Sequence, residues 1–154
     1  MFCISINHKN TSADVRERFA FTTKGQRQFT ERLKAEVGGC VVLSTCNRME
    51  IYFTDKYEQV EKLLANDREV PVGLIRRYSM NYEGFQCMLH LCRVACGMDS
   101  MVLGEVEIIH QVKSAYLMAK ELGACDGELN IAFQGALAAA KTVATESDTT
   151  RLPV

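Results

Sequence analysis

Residues 40–53 read CVVLSTCNRMEIYF and contain two β-rich runs that meet around Cys46. The run CVVLSTC is dominated by apolar and β-branched residues, and MEIYF follows it after Asn47 and Arg48. Gly38 and Gly39 precede the first run, where glycines commonly end a helix. The pattern therefore predicts a helix stop and two strands joined by a short loop that carries Cys46.

The remaining first half of the chain adds strands and helices on both sides of this pair. Its segments are a strand over Phe2–Ile6, two short helices within Asp14–Val37, a helix over Tyr57–Leu64 and an edge strand over Leu74–Ser79. This gives the order strand, helix, strand, strand, helix, strand. Such an order is typical of a ferredoxin-like split βαβ antiparallel sheet.

The second half has helical periodicity throughout. The predicted helices are Tyr82–Ala95, Glu105–Leu122 and Asp126 to about Thr145, with Gly123 as a stop and Asp126 as an N-cap. We therefore expect an α+β fold, a ferredoxin-like sheet with additional C-terminal helices. Residues 1–147 are expected to form one catalytic, ligand-binding domain, and residues 148–154 to begin a linker.

The composition excludes several classes of protein. Of 154 residues, 47% are hydrophobic, and 18 basic residues nearly cancel 19 acidic ones, so no overall field favours nucleic acid or a membrane surface. Seven cysteines without regular pairing favour reduced thiols in the cytoplasm. The N-terminus MFCISINH resembles a strand, not a targeting peptide, and no apolar run approaches the roughly 20 residues that span a bilayer.

Cys46 is the candidate nucleophile, because a loop at the ends of strands can present a thiol to solvent. The Arg48 guanidinium would favour the thiolate and could clamp a carboxylate in bidentate fashion. His90, on a predicted helix, could assist the thiol across the fold. On spacing alone, however, a buried structural cysteine and a core histidine are the commoner outcomes.

The stretch GMDSMVLGEVEIIHQVK places Ser100 and Glu105 in a loop that leads into a helix with Gln111. This loop could offer polar groups to a ligand, or it could simply connect two helices. The sequence has no glycine-rich nucleotide motif, so no bound cofactor is expected in this chain. The set Cys87, His90, Cys92 and Cys96 lacks the close pairing of a zinc site, so no metal is expected.

Several segments, in this order and over nearly the whole chain, together resemble the glutamyl-tRNA reductase family. They are NHK with VRERFAF, LSTCNRMEIY, HLCRVACGMDSMVLGE, QVKSAY, LNIAFQGALAAAK and VATES. The resemblance implies that Cys46 attacks the ester of glutamyl-tRNA to form a thioester, which NADPH reduces to glutamate 1-semialdehyde for tetrapyrrole biosynthesis.

By the same resemblance, Thr45, Arg48, Ser100 and Gln111 hold the glutamyl group. Glu50, His90 and Glu105 match positions tied to activity, with Asn47 as a possible support. The chain departs from the family pattern at Met98, Val106, Glu107 and His110, where Leu, Pro-Gln and Gly are usual.

The resemblance also implies partners beyond this chain. A full-length enzyme would add an NADPH-binding domain and a helical dimerisation domain, and would hand its product to glutamate-1-semialdehyde aminomutase. The chain alone is expected to form or hydrolyse the thioester without reducing it. Two alternatives remain at this stage: a cysteine-dependent ester hydrolase that uses Cys46 with His90, and a non-catalytic module that binds tRNA or a protein.

Overall fold

The computed structural model describes residues 1–101 and 106–150. Its sheet has four strands, β1 (Phe2–Asn7), β2 (Cys40–Ser44), β3 (Arg48–Phe53) and β4 (Met80–Glu83), in the order β2-β3-β1-β4. All three neighbouring pairs are antiparallel. The predicted α+β class with a ferredoxin-like sheet is confirmed.

Seven helices are described alongside the sheet. They are α1 (Ala13–Phe19), α2 (Thr23–Val37), α3 (Tyr57–Arg68), α4 (Val72–Tyr78), α5 (Gly84–Ala95), α6 (Glu107–Glu121) and α7 (Gly127–Thr150). The predicted stop after α2 is confirmed, because Gly38 caps it at a φ of 85°, which favours glycine. Within the described residues, no helix is both long and apolar enough to cross a membrane.

The two faces of the sheet have different partners, because side chains alternate along each strand. On one face, Glu50 contacts His90 of α5 and Tyr52 packs edge-on against Phe133 of α7. On the other face, Cys40 contacts the backbone of Thr30 in α2. The polar residues of β3 therefore point toward α5 and α7.

The hairpin between β2 and β3 has Cys46 and Asn47 as its two turn residues. Ser44 pairs with Met49 at the end of the ladder, and the Thr45 N–H donates to the Arg48 carbonyl at 2.8 Å. The Asn47 N–H donates to the Thr45 hydroxyl at 3.2 Å. The predicted strand pair with Cys46 in its short loop is confirmed.

The predicted edge strand over Leu74–Ser79 is wrong, because most of this segment forms α4. Ile75 is fully buried and Arg76 pairs with Glu61 of α3. These tertiary contacts stabilise a helix here although the composition favours a strand. The edge strand is β4, whose residues MNYE alternate between half-buried and exposed. Four mostly polar residues carry little strand signal of their own.

Other differences concern the ends of helices. Tyr82 belongs to β4 and pairs with Cys3, so α5 begins at Gly84. The described part of α6 begins at Glu107. Asp126 caps α7 as predicted, accepting from the Leu129 N–H at 2.9 Å, and α7 continues to Thr150, through residues 148–150 of the predicted linker.

Candidate functional site

The thiol of Cys46 is exposed at the hairpin turn and lines a pocket of about 130 Å³. Six residues expected from the sequence line this pocket together: Thr45, Cys46, Asn47, Arg48, Ser100 and Gln111. Glu107 and Ile108 also line it. We call this space the thiol pocket. Its small volume suits one short polar group rather than a drug-sized ligand.

Arg48 is 2% exposed and is held by two acidic residues. Its Nη1 donates to Glu50 Oε2 at 3.2 Å and to Asp99 Oδ2 at 3.3 Å, and its Nη2 donates to the Asp99 carbonyl at 2.6 Å. Burial would lower the pKa of Arg48, but the charges of Glu50 and Asp99 outweigh it and raise the pKa. These three bonds leave two of the five guanidinium N–H groups without a partner among the described residues.

Asp99 fixes the orientation of the Arg48 guanidinium through these bonds. The sequence did not single it out as a site residue. It is 4% exposed, and its carboxylate also pairs with Lys9 from the segment after β1. Burial would raise the pKa of Asp99, but Lys9 and Arg48 lower it below its ordinary value. Because Ser100 follows Asp99, the same contacts place the Ser100 segment against the hairpin.

Glu50 and His90 form a second group, which contacts the thiol pocket's Arg48 through Glu50. Glu50 is fully buried, and His90 Nε2 lies 2.6 Å from its Oε2. Ser5 donates to Oε2 at 2.6 Å and Tyr52 donates to Oε1 at 2.8 Å. Burial would raise the pKa of Glu50, but His90, Arg48 and Ser5 lower it to about 2. The carboxylate is therefore ionised and saturated with donors.

His90 does not line the thiol pocket in the described part of the chain. Its ring stacks on Tyr82 with centroids 4.0 Å apart and an interplanar angle of 11°. Its connection to the pocket runs through Glu50 to Arg48. This arrangement suits a residue that positions Glu50 and Arg48 better than one that touches the thiol.

Among the described residues, one group has the composition of a metal site. Potential ligand atoms of Cys3, Glu50 and His90 lie within 4.8 Å of one another. Both Glu50 oxygens already accept protein hydrogen bonds, and the Arg48 cation lies beside them. Hydrogen bonding within the protein therefore accounts for the positions of Glu50 and His90.

A neighbouring groove extends the thiol pocket. It has a volume of about 320 Å³ and shares Glu107 and Gln111 with the thiol pocket, while Ser44, His110 and Met118 are among its other lining residues. The predicted site residue Glu105 lies outside the described residues. The sequence did not predict Glu107 as a pocket residue and marked it only as a departure from the family pattern. Helical spacing alone does not show that this residue faces the Cys46 loop.

Comparisons with known proteins identify the family to which this chain belongs. A family model described as "Glutamyl-tRNAGlu reductase, N-terminal domain" matches residues 4–147. A glutamyl-tRNA reductase of Desulforudis audaxviator is 38% identical over 98% of this chain, and one of Akkermansia muciniphila is 39% identical over 96%. The solved glutamyl-tRNA reductase from Methanopyrus kandleri matches 94% of this chain with a TM-score of 0.79 and 31% sequence identity.

The chain is shorter than these relatives. It spans 35% of the Desulforudis protein, 45% of the Akkermansia protein and 34% of the Methanopyrus chain. The matched region nevertheless includes the whole hairpin, the Asp99 segment and α6. The chain belongs to the glutamyl-tRNA reductase N-terminal domain family.

Proposed function

We propose that this chain is the catalytic domain of a glutamyl-tRNA reductase and that Cys46 accepts the glutamyl group as a thioester. The observation that carries the proposal is the exposed Cys46 thiol in a pocket lined by Arg48, Ser100 and Gln111. A nucleophile beside a cation and polar donors suits an acyl group that carries a carboxylate. Residues 1–147 would form this domain.

The acyl transfer can be written with residues of this chain alone. The Cys46 sulfur attacks the ester carbonyl carbon, a carbon–sulfur bond forms, and the bond to the ribose oxygen breaks. The thiol proton leaves with the tRNA hydroxyl. Because Cys46 lies at a hairpin turn secured by the hydrogen bond from Thr45 to Arg48, its side chain is held at the thiol pocket.

Arg48 would bind the side-chain carboxylate of the glutamyl group. The two N–H groups that have no partner among the described residues would donate to that carboxylate, while Glu50 and Asp99 hold the guanidinium plane. Thr45, Ser100 and Gln111 would supply neutral polar contacts from the other walls, with Asn47 completing the turn. Glu50 and His90 would position Arg48.

The later steps would use other parts of a longer protein. NADPH would deliver hydride to the thioester and give glutamate 1-semialdehyde, but this sequence has no glycine-rich phosphate-binding motif, so its residues do not suit that cofactor. The aminomutase contact and a homodimer would likewise involve the full-length enzyme. All seven cysteines are free, which suits a reducing compartment such as the cytoplasm.

The proposal is tested by mixing the chain with glutamyl-tRNA labelled in the glutamate. After an acid quench, label should remain on the protein and an equal amount of tRNA should be deacylated. Cys46→Ser should abolish the stable thioester, and Cys92→Ser, which changes a half-buried cysteine of α5, should leave it intact.

The two alternatives give different results in this experiment. Continuing release of free glutamate that depends on Cys46, without accumulation of label, would identify an ester hydrolase. Binding of tRNA without either acyl transfer or deacylation would identify a non-catalytic module, and would contradict the proposal.

A further inference from the structure

A pair of cysteines on α5 is used neither by the hairpin nor by the proposed acyl transfer. Cys92 lies in the last turn of the helix and Cys96 is its C-terminal cap, and both are half-buried and free. The Cys96 N–H donates to the Cys92 carbonyl at 3.0 Å, so this turn is regular and the two side chains lie on the same side of α5. Among the described residues, neither cysteine lines the thiol pocket. The pair is therefore a thiol group separate from Cys46.

The spacing of this pair suits a bridging ion better than a disulfide bond. Residues four apart on a helix have Cβ atoms about 5–6 Å apart, whereas a disulfide holds its two Cβ atoms about 3.8 Å apart. A direct bond between Cys92 and Cys96 would therefore require the last turn of α5 to unwind. A metal ion bound to both sulfurs, at about 2.3 Å from each, holds them up to about 4.6 Å apart. The regular turn accommodates that separation.

A thioether continues the row of sulfur-containing side chains. Met88 precedes Cys92 by one turn, at the same four-residue spacing, and is also half-buried. A Cβ at Gly135 of α7 would lie 3.7 Å from the Met88 methyl carbon, so this side chain lies against α7. In the described part of the chain, no histidine or carboxylate completes a three-ligand group with Cys92 and Cys96. The ligands on offer are therefore sulfur atoms.

Such a set of ligands favours Cu(I). Soft thiolate and thioether ligands select this ion, whereas a structural zinc ion takes four ligands, so the zinc site that the sequence excludes is a different case. Burial raises the pKa of Cys92 and of Cys96, and the charge of Cys92 raises that of Cys96 further. Both groups are therefore thiols before an ion binds. Binding forms two copper–sulfur bonds and releases the two thiol protons to water.

We propose that Cys92 and Cys96 bind one Cu(I) ion as two thiolates, with the Met88 thioether as a supporting ligand. The inference goes beyond the proposed acyl transfer and does not depend on it, because Cys46 takes no part. The simpler role of a half-buried cysteine is that of a small apolar group. In that role, neither thiol would bind the ion more tightly than any other half-buried cysteine of the chain.

The test measures the affinity of the reduced chain for Cu(I), by anaerobic competition with the chelator bicinchoninate. It compares the unchanged chain with Cys92→Ser, Cys96→Ser and Cys125→Ser. Cys125 is the matched control, because it is also half-buried and free but lies before α7, outside α5. Far-UV circular dichroism of the four proteins should be alike, which shows that each variant is folded.

Cys92→Ser and Cys96→Ser should each weaken Cu(I) binding at least about a hundredfold, because one thiolate ligand is lost, and Cys125→Ser should leave it unchanged. A second measurement needs no variant: one equivalent of Cu(I) should protect Cys92 and Cys96 of the unchanged chain from iodoacetamide and leave the rate at Cys125 unchanged. Equal affinity in all four proteins, loss of binding in Cys125→Ser, or protection of Cys46 instead of the pair would overturn the site.

Discussion

Arg48 and Asp99 lie 51 residues apart in the chain and are joined by two hydrogen bonds, from Nη2 to the Asp99 carbonyl at 2.6 Å and from Nη1 to Oδ2 at 3.3 Å. These bonds connect the Cys46 hairpin to the segment that carries Ser100. A buried arginine needs such partners, because an unpaired buried charge is costly. The pair therefore both stabilises the fold and sets the direction in which the guanidinium faces the pocket.

The first prediction concerns Asp99→Asn. The amide removes the negative charge that holds Arg48 and Lys9, although the backbone carbonyl bond to Arg48 can remain. We expect the acylation rate constant with glutamyl-tRNA to fall about tenfold, because the guanidinium loses its fixed orientation. Acylation is measured as label retained on the protein at substrate concentrations below saturation.

Asp67→Asn provides the control for this prediction. Asp67 also has a largely covered side chain, 6% exposed, and it pairs with Arg32 and Arg68 away from the thiol pocket. The two variants should lose comparable stability, but Asp67→Asn should keep the acylation rate of the unchanged chain. Equal losses of acylation in both variants would show that Asp99 acts through general stability alone.

The second prediction concerns the pH dependence of stability contributed by Glu50. Its pKa is about 2 in the folded protein, below its ordinary value, so its stabilisation is fully present above the ordinary value and is lost as the pH falls toward 2. Glu50→Gln should lower the free energy of unfolding by about 3 kcal/mol near neutral pH, since Arg48 and His90 lose a buried partner. Urea unfolding of both proteins from pH 7 to pH 3 measures this difference.

The difference in the free energy of unfolding between the unchanged chain and Glu50→Gln should shrink as the pH falls below about 4. Glu61→Gln is the matched control, because Glu61 is buried but pairs with the exposed Arg76. Glu61→Gln should lower the free energy of unfolding by about 1 kcal/mol or less. If Glu50→Gln lowered the free energy of unfolding by the same amount at pH 3 as at pH 7, Glu50 would not be stabilised in its ionised form.

The third prediction concerns Gly39, which leaves space for the cap of α7. A Cβ at Gly39 would lie 2.0 Å from Asp126 Oδ2, an oxygen that accepts the Thr54 hydroxyl at 2.7 Å. Gly39→Ala should therefore displace the cap and lower the free energy of unfolding by about 1–2 kcal/mol. Chemical denaturation followed by circular dichroism measures the change.

Gly73→Ala is the control for Gly39, because a Cβ there has no atom within 4 Å and the residue lies in α4. It should be neutral or slightly stabilising, since alanine favours a helix over glycine. If Gly39→Ala were as stable as Gly73→Ala, the close approach of Asp126 would not constrain the turn.

The fourth prediction concerns the reactivity of the cysteines. Cys46 is exposed, whereas burial raises the pKa of Cys40 and of Cys87 to about 12 and the pKa of Cys125 to about 11. Because the thiolate is the reactive form, iodoacetamide at pH 8 should alkylate Cys46 at least about tenfold faster than these three. Peptide mass spectrometry over time measures the rates, and faster modification of any of the three would contradict the assignment of Cys46 as the accessible thiol.

The sequence predicted the sheet and the Cys46 hairpin well, because both strands have strong β-rich runs. It misplaced the edge strand, since Met80–Glu83 is short and mostly polar and is held by pairing with β1. It also missed Asp99 and Glu107 as site residues. Their roles depend on contacts between segments distant in the chain, which local spacing does not contain.

The most direct test of acyl transfer is to locate the glutamyl group on the protein. After reaction with glutamyl-tRNA and digestion at acidic pH, peptide mass spectrometry should find the glutamyl mass on the peptide that contains Cys46, and hydroxylamine should remove it as expected for a thioester. A glutamyl group on another cysteine, or an unmodified Cys46 after complete deacylation of the tRNA, would contradict the account.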